Sequence, residues 1–91
     1  MIKKMIDYKV TYYSFNDAIL GRLTYSTLPE EIENIPADEL RDVLWSRTCD
    51  TEMIVEYCCY IVITNDERGF CRRIAYLEED KDLYDDELFL Y

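Results

Sequence analysis

The first third of the chain alternates apolar and polar residues with the two-residue period of a β-strand. From Met5 to Phe15, Tyr8, Val10 and Tyr12 alternate with polar neighbours, which predicts a strand. Ile19 to Thr27 shows a weaker strand pattern, in which Gly21 marks a candidate β-bulge. Asn16-Asp17 between them is a turn signal, so the two strands are expected to form a hairpin.

A second hairpin is predicted in the other half of the chain. Glu52 to Thr64 carries the strongest strand pattern, with one continuous apolar face, and is predicted to be a central strand buried under a helix. Residues 65–69 give a turn and Phe70 to Glu78 the partner strand. Such a turn pairs residues whose numbers sum to about 134. Cys71 is therefore expected opposite Ile63.

Helical spacing is clearest between Pro36 and Arg47. Proline suits the first position of a helix, and Leu40, Val43 and Leu44 follow the spacing of a buried stripe. Leu28 to Asn34 predicts a single helical turn. Residues 79–91 could form either a short helix, packing through Leu83, Tyr84 and Leu88, or an ordered edge. The sequence therefore predicts one α+β domain over residues 1–91. Its small antiparallel sheet has about four strands in the order ββαββ, with one main helix on one face and a candidate short C-terminal helix.

Charge changes this picture, because the acids are concentrated. Twenty Asp and Glu against ten Lys and Arg give a formal net charge of −10 in 91 residues. Residues 28–42 carry net −5 and residues 78–91 net −6, so these two segments hold the whole excess. A surface that only confers solubility would mix the two signs of charge. We expect the segments to bind a partner through Glu30, Glu31, Glu33, Asp38, Glu39, Asp42, Glu78, Glu79, Asp80, Asp82, Tyr84, Asp85, Asp86 and Glu87.

Several classes of chemistry have no support in the sequence. The chain has no His, its four cysteines form no C-x-x-C spacing, and there is no glycine-rich phosphate loop. Free thiols are expected, with no metal, no cofactor and no enzymatic activity. A strongly negative surface opposes direct binding to nucleic acid or to anionic lipid. The longest apolar run, Tyr57 to Ile63, is too short to span a bilayer, so a cytoplasmic protein of a host cell is expected.

In size, charge and order of elements, the chain resembles the small acidic inhibitors of phages and mobile elements, such as anti-CRISPR and antirestriction proteins. The residues that carry the resemblance are the acidic segments Leu28–Asp42 and Glu78–Tyr91. The resemblance implies a DNA mimic, whose carboxylates block a basic nucleic-acid-binding surface of an enzyme or effector complex.

Two other interpretations stay open. The chain could be a protein–protein interaction module, such as an immunity protein for a basic nuclease toxin or an acidic accessory subunit. A homodimer is compatible with either function, since Lys3, Lys4 and Arg22 could meet an acidic segment of a second copy.

Overall fold

An antiparallel sheet of four strands forms the centre of the fold in the computed structural model, which describes residues 4–46 and 52–85, with the backbone alone at residues 23–25, 52 and 53. Three 3₁₀ turns, Glu30–Glu33, Asp66–Arg68 and Glu78–Asp80, lie between the regular elements. Those elements, in chain order, are β1 (Met5–Tyr13), β2 (Ile19–Pro29), α1 (Ala37–Trp45), α2 (Glu52–Tyr57), β3 (Tyr60–Asn65), β4 (Phe70–Ala75) and α3 (Lys81–Tyr84).

The strand order is β2-β1-β3-β4, and all three pairings are antiparallel. The prediction of an α+β fold with a small antiparallel sheet is therefore confirmed. Strands β1 and β3 lie side by side in the centre of the sheet. The register of β1 against β2 shifts twice, and one shift lies next to Gly21, where the sequence marks a bulge.

One face of the sheet holds the core. Tyr8, Val10 and Tyr12 of β1 are fully or almost fully buried, because alternate residues of a strand point to the same face. Ile61 and Ile63 of β3 continue this layer across the sheet. The core is closed by Leu28, Ile32, Leu40, Leu44 and Ile54, from β2, the first 3₁₀ turn, α1 and α2.

The prediction of one strand from Glu52 to Thr64 is wrong in its first half. Residues 52–57 form α2, with Cys58 N–H donating to the Ile54 carbonyl at 3.1 Å, and β3 begins at Tyr60. Nearly every residue from 53 to 63 is apolar, so the pattern fits a helical period as well as a strand period. A second helix therefore separates α1 from β3, and the order ββαββ omits it.

The main helix is shorter than predicted. It runs from Ala37 to Trp45, and Pro36 is its N-cap residue, with extended ψ of 150°, rather than its first helical residue. Arg47, at which the helical spacing ends, lies outside the described residues, as does Leu88 in the C-terminal segment.

The β3–β4 hairpin pairs residues whose numbers sum to 135, so Cys71 faces Thr64 and not Ile63. The connection consists of the turn Asp66–Arg68 plus Gly69, whose φ of 62° places it in the left-handed region. A change of one residue in register exchanges the two faces of a strand, so Cys71 shares the face of Thr64 and not that of Ile63. The cysteines within the described part of the chain, Cys58, Cys59 and Cys71, are free thiols.

Candidate functional site

A buried arginine joins the two acidic segments. Arg41 of α1 leaves 4% of its side chain exposed, and its guanidinium donates to Asp38 at 2.6 Å and to both carboxylate oxygens of Asp85 at 3.0 and 3.2 Å. It also donates to the Ala75 carbonyl at 3.3 Å. Asp85 in turn accepts from the Ala75 N–H at 2.6 Å, so one carboxylate binds α1 and the end of β4 together.

These contacts keep Arg41 charged in spite of its burial. Burial alone would lower the pKa of the guanidinium, but the hydrogen bonds to Asp85 and Asp38 outweigh it and raise the pKa above its ordinary value. The residue that follows α3 is therefore fixed to α1 by an ion pair, so the two acidic segments meet along the line between α1 and α3.

Two depressions follow this line. A small cleft of about 130 Å³ is lined by Asp38, Arg41, Asp42, Trp45 and Glu78. A groove of about 610 Å³ lies between the start of α1 and α3, and its lining residues are Asn34, Ile35, Pro36, Ala37, Asp38, Arg72, Lys81, Asp82 and Asp85. Asp38 belongs to both depressions. We call the set Asp38, Asp42, Glu78 and Asp82 the acidic seam.

Most carboxylates of the acidic seam are unpaired. Asp42, Glu78 and Asp82 are exposed, and no cation among residues 4–46 and 52–85 lies within ion-pair distance of them. Arg72 lines the groove, but its guanidinium donates to the Ile32 carbonyl at 2.8 Å, and burial lowers its pKa. The seam therefore presents uncompensated negative charge, which is the property needed to attract a basic surface.

Glu30 and Glu33, at the start of the first acidic segment, form ion pairs within the protein. Arg68, in the β3–β4 turn, donates to Glu30 at 2.6 Å and to Glu33 at 2.7 Å, and Lys4 lies 3.6 Å from Glu30. The buried Tyr8 hydroxyl also donates to Glu33, at 2.6 Å. Glu30 and Glu33 thus hold the end of β2 against the opposite hairpin.

Glu33 is the acid whose titration this network controls. Burial alone would raise its pKa, but the hydrogen bonds from Arg68 and Tyr8 together hold it below the ordinary value of 4.5. Burial raises the pKa of the Tyr8 hydroxyl, and its hydrogen bond to Glu33 raises that pKa further. Reversing the charge of Glu33 would therefore break internal contacts before it altered any interface.

The other predicted residues lie in varied surroundings. Glu31, Glu39 and Glu79 are exposed, Asp80 is half-buried, and Asp86 and Glu87 lie outside the described residues. Tyr84 is half-buried: its ring stacks on Tyr60 with centroids 5.3 Å apart, and its hydrogen bond with Cys59 raises its pKa. Tyr84 therefore holds α3 to the sheet face opposite the core.

Sequence reasoning missed two residues of the site, Arg41 and Trp45. Arg41 directly follows Leu40 and precedes Leu44 by three positions, which places it on the buried side of α1. It is also the only cation of the first acidic segment, which was the available signal. Trp45 is 49% exposed in the small cleft, and its ring lies 5.9 Å from that of Tyr76.

The part of the chain that the structure describes contains no group of three His, Cys, Asp or Glu side chains arranged to hold a metal ion. It also contains no helix long and apolar enough to cross a membrane.

Comparison with protein-family models, with curated proteins and with solved structures finds no match to this chain.

Proposed function

We propose that the protein is a non-enzymatic acidic inhibitor, encoded by a phage or mobile element and active in the cytoplasm of a host cell. It occupies a basic nucleic-acid-binding surface in place of DNA or RNA. The observation that carries this proposal is the meeting of both acidic segments along the acidic seam, through the Arg41–Asp85 ion pair. Two separate acidic tails would offer no fixed spacing of charge, whereas the buried Arg41–Asp85 ion pair fixes the two segments of the acidic seam relative to each other.

The electrostatics of the seam favour fast, salt-sensitive binding. Exposed carboxylates that have no cation partner among the described residues raise the local negative potential and steer a basic partner during encounter. A nucleic-acid-binding channel offers lysines and arginines placed for phosphates, and carboxylates can meet the same groups. Binding is therefore assigned to Asp38, Glu39, Asp42, Glu78, Glu79 and Asp82, while Glu30, Glu33 and Asp85 act in the scaffold.

The proposal is tested by competition with nucleic acid. The tagged protein is incubated with bacterial lysate at low salt, and the captured proteins are challenged with excess duplex DNA or single-stranded RNA. We expect a captured nucleic-acid-binding protein that is released by nucleic acid and also by a few hundred millimolar salt. A captured partner that stays bound in the presence of saturating DNA and RNA would contradict the mimicry.

A second candidate function is a protein–protein interaction module, such as an immunity protein for a basic nuclease toxin or an acidic accessory subunit. The half-exposed Trp45 between carboxylates favours it, because tryptophan is enriched among the residues that dominate protein–protein binding. The same competition separates the functions, since an accessory subunit stays bound when nucleic acid is added.

A further inference from the structure

Large apolar side chains are exposed at one end of the sheet. Their exposed fractions range from 49% for Trp45 to 77% for Phe15. We call this group the apolar end: Phe15, Ile19, Trp45, Val55 and Tyr57. A contiguous exposed apolar patch on a small protein commonly marks a binding surface.

The backbone shows why these residues share one end. Cys59 N–H donates to the Tyr13 carbonyl at 2.8 Å, and Tyr76 N–H donates to the Cys59 carbonyl at 2.9 Å. These two hydrogen bonds lie at the end of the sheet where α2 ends and the β1–β2 turn begins. Ile19 pairs with Tyr13, and the ring of Trp45 packs near that of Tyr76, so both apolar residues lie at this end.

The apolar end is continuous with the acidic seam through Trp45. The small cleft places its indole, at the last residue of α1, beside Asp42 and Glu78. At the opposite end of the sheet, where Glu30, Glu33 and Arg68 form ion pairs, the exposed large apolar residue is Met5. Apolar surface and the exposed carboxylates Asp42 and Glu78 are therefore adjacent at the end of the sheet where Trp45 lies.

We infer that the apolar end and the acidic seam together dock a basic amphipathic segment of a partner protein, with apolar residues in its centre and Arg or Lys at its rim. The inference rests on the proposed function, because it concerns the partner of the same surface. Two other occupants fit this surface less well. A nucleic acid presents phosphates and no apolar centre, and a second copy of the protein would bring two chains of formal charge −10 together. An apolar core with a polar rim is the usual anatomy of a protein interface.

The small cleft has the chemistry to hold one basic side chain of that segment. Its volume of about 130 Å³ is below the roughly 300–1,000 Å³ of sites for drug-sized ligands. A guanidinium entering it would lie against the indole of Trp45, a favourable cation–π contact, with Asp42 and Glu78 as charge partners. The partner side chain that fits best is an arginine, since its planar group can stack on the ring.

Trp45 is the one tryptophan of the chain, so its fluorescence reports directly on this surface. The full-length protein is titrated with two synthetic peptides of equal length and equal arginine content, one with leucines on a single helical face and one with serines in their place. We expect the leucine peptide to shift Trp45 emission to shorter wavelength and to bind at least about tenfold more tightly than the serine peptide. Equal affinity of the two peptides, or an unshifted emission, would overturn the inference.

Matched variants locate the apolar contact. Val55→Ser combined with Tyr57→Ser is expected to weaken the leucine peptide about fivefold or more, while Met5→Ser, at the other end of the sheet, leaves its affinity unchanged. An equal effect of the two substitutions would place the apolar contact elsewhere and contradict the inference. Circular dichroism of each variant controls for folding.

One further variant separates this inference from the proposed function. Asp42→Lys combined with Asp82→Lys is expected to weaken both peptides. If it weakens both while the two peptides bind the wild type equally, the acidic seam binds basic chains but the apolar end has no part in it. If it weakens neither, or if neither peptide binds the wild type, both proposals fail.

Discussion

Arg41 is the residue on which the proposed surface depends. Its guanidinium is almost entirely buried and joins Asp38, Asp85 and the Ala75 carbonyl. Removing one partner of a buried ion pair leaves the remaining charge without compensation, which typically costs about 3–5 kcal/mol.

Arg41→Met is therefore expected to lower the free energy of unfolding by about 3 kcal/mol, measured by urea denaturation. Methionine keeps apolar volume in the core, so the loss reports on the ion pair and not on a cavity. Arg22→Met is the matched control, because Arg22 is exposed on β2 and its change should stay within about 0.5 kcal/mol. Equal losses for the two variants would contradict the anchoring role of Arg41.

Glu33 gives a prediction about pH. Its pKa is lower in the folded protein than the ordinary value of 4.5, so the folded state favours the ionised carboxylate. The stabilisation is fully present above pH 4.5 and is lost as the pH falls through the folded-state value. The difference in urea midpoint between the wild type and Glu33→Gln should therefore be largest near neutral pH and shrink on acidification. A difference between the wild type and Glu33→Gln that stays flat across this pH range would disprove the link.

At the scale of elements, the attachment of α2 to β2 depends on a glycine. A Cβ atom on Gly21 would lie 3.0 Å from Cδ1 of Ile54, so α2 packs directly over the backbone of β2. Close approach of a helix to a strand is one of the reasons for glycine inside a strand.

Gly21→Val is expected to destabilise the protein by about 1–3 kcal/mol through overpacking against Ile54. The cost should be smaller in an Ile54→Ala background, with a coupling of about 1 kcal/mol in a double-mutant cycle. Additive effects would show that α2 does not pack on Gly21. Gly69→Ala is a control for backbone effects, because nothing lies within 4 Å of its Cβ position and its φ of 62° alone makes the substitution cost about 1 kcal/mol.

The elements also show how far the sequence predicts this fold. β1 and the β3–β4 hairpin follow from two-residue alternation, and α1 follows from Pro36 and the spacing of Leu40 and Leu44. α2 does not, because a run of apolar residues fits both periods, and its helical form depends on tertiary packing of Ile54 on Gly21. Local sequence contains no sign of that long-range contact.

The prediction of the site was limited in a similar way. Sequence identified both acidic segments but not which carboxylates pair internally, since Arg68 is 35 residues from Glu33 and Asp85 is 44 residues from Arg41. The meeting of the segments is a property of the tertiary structure.

At the scale of the whole molecule, charge and apolar surface are arranged along the sheet. Glu30 and Glu33, in the first 3₁₀ turn, are neutralised by Arg68 and Lys4. Asp42, Glu78 and Asp82 have no cation partner within the described residues. The acidic seam is therefore one place where the negative charge of this chain is left without a cation partner among the described residues. The central claim is that the position of these charges, more than their number, determines binding.

The most direct test compares two double variants of equal formal charge, −6 in each case, for capture of nucleic-acid-binding protein from lysate at low salt. One carries Asp42→Lys and Asp82→Lys in the acidic seam, and the other carries Asp66→Lys and Glu67→Lys in the exposed β3–β4 turn. The account predicts that the seam variant loses capture and that the turn variant retains most of it. Equal capture by the two variants, or loss in the turn variant alone, would contradict it.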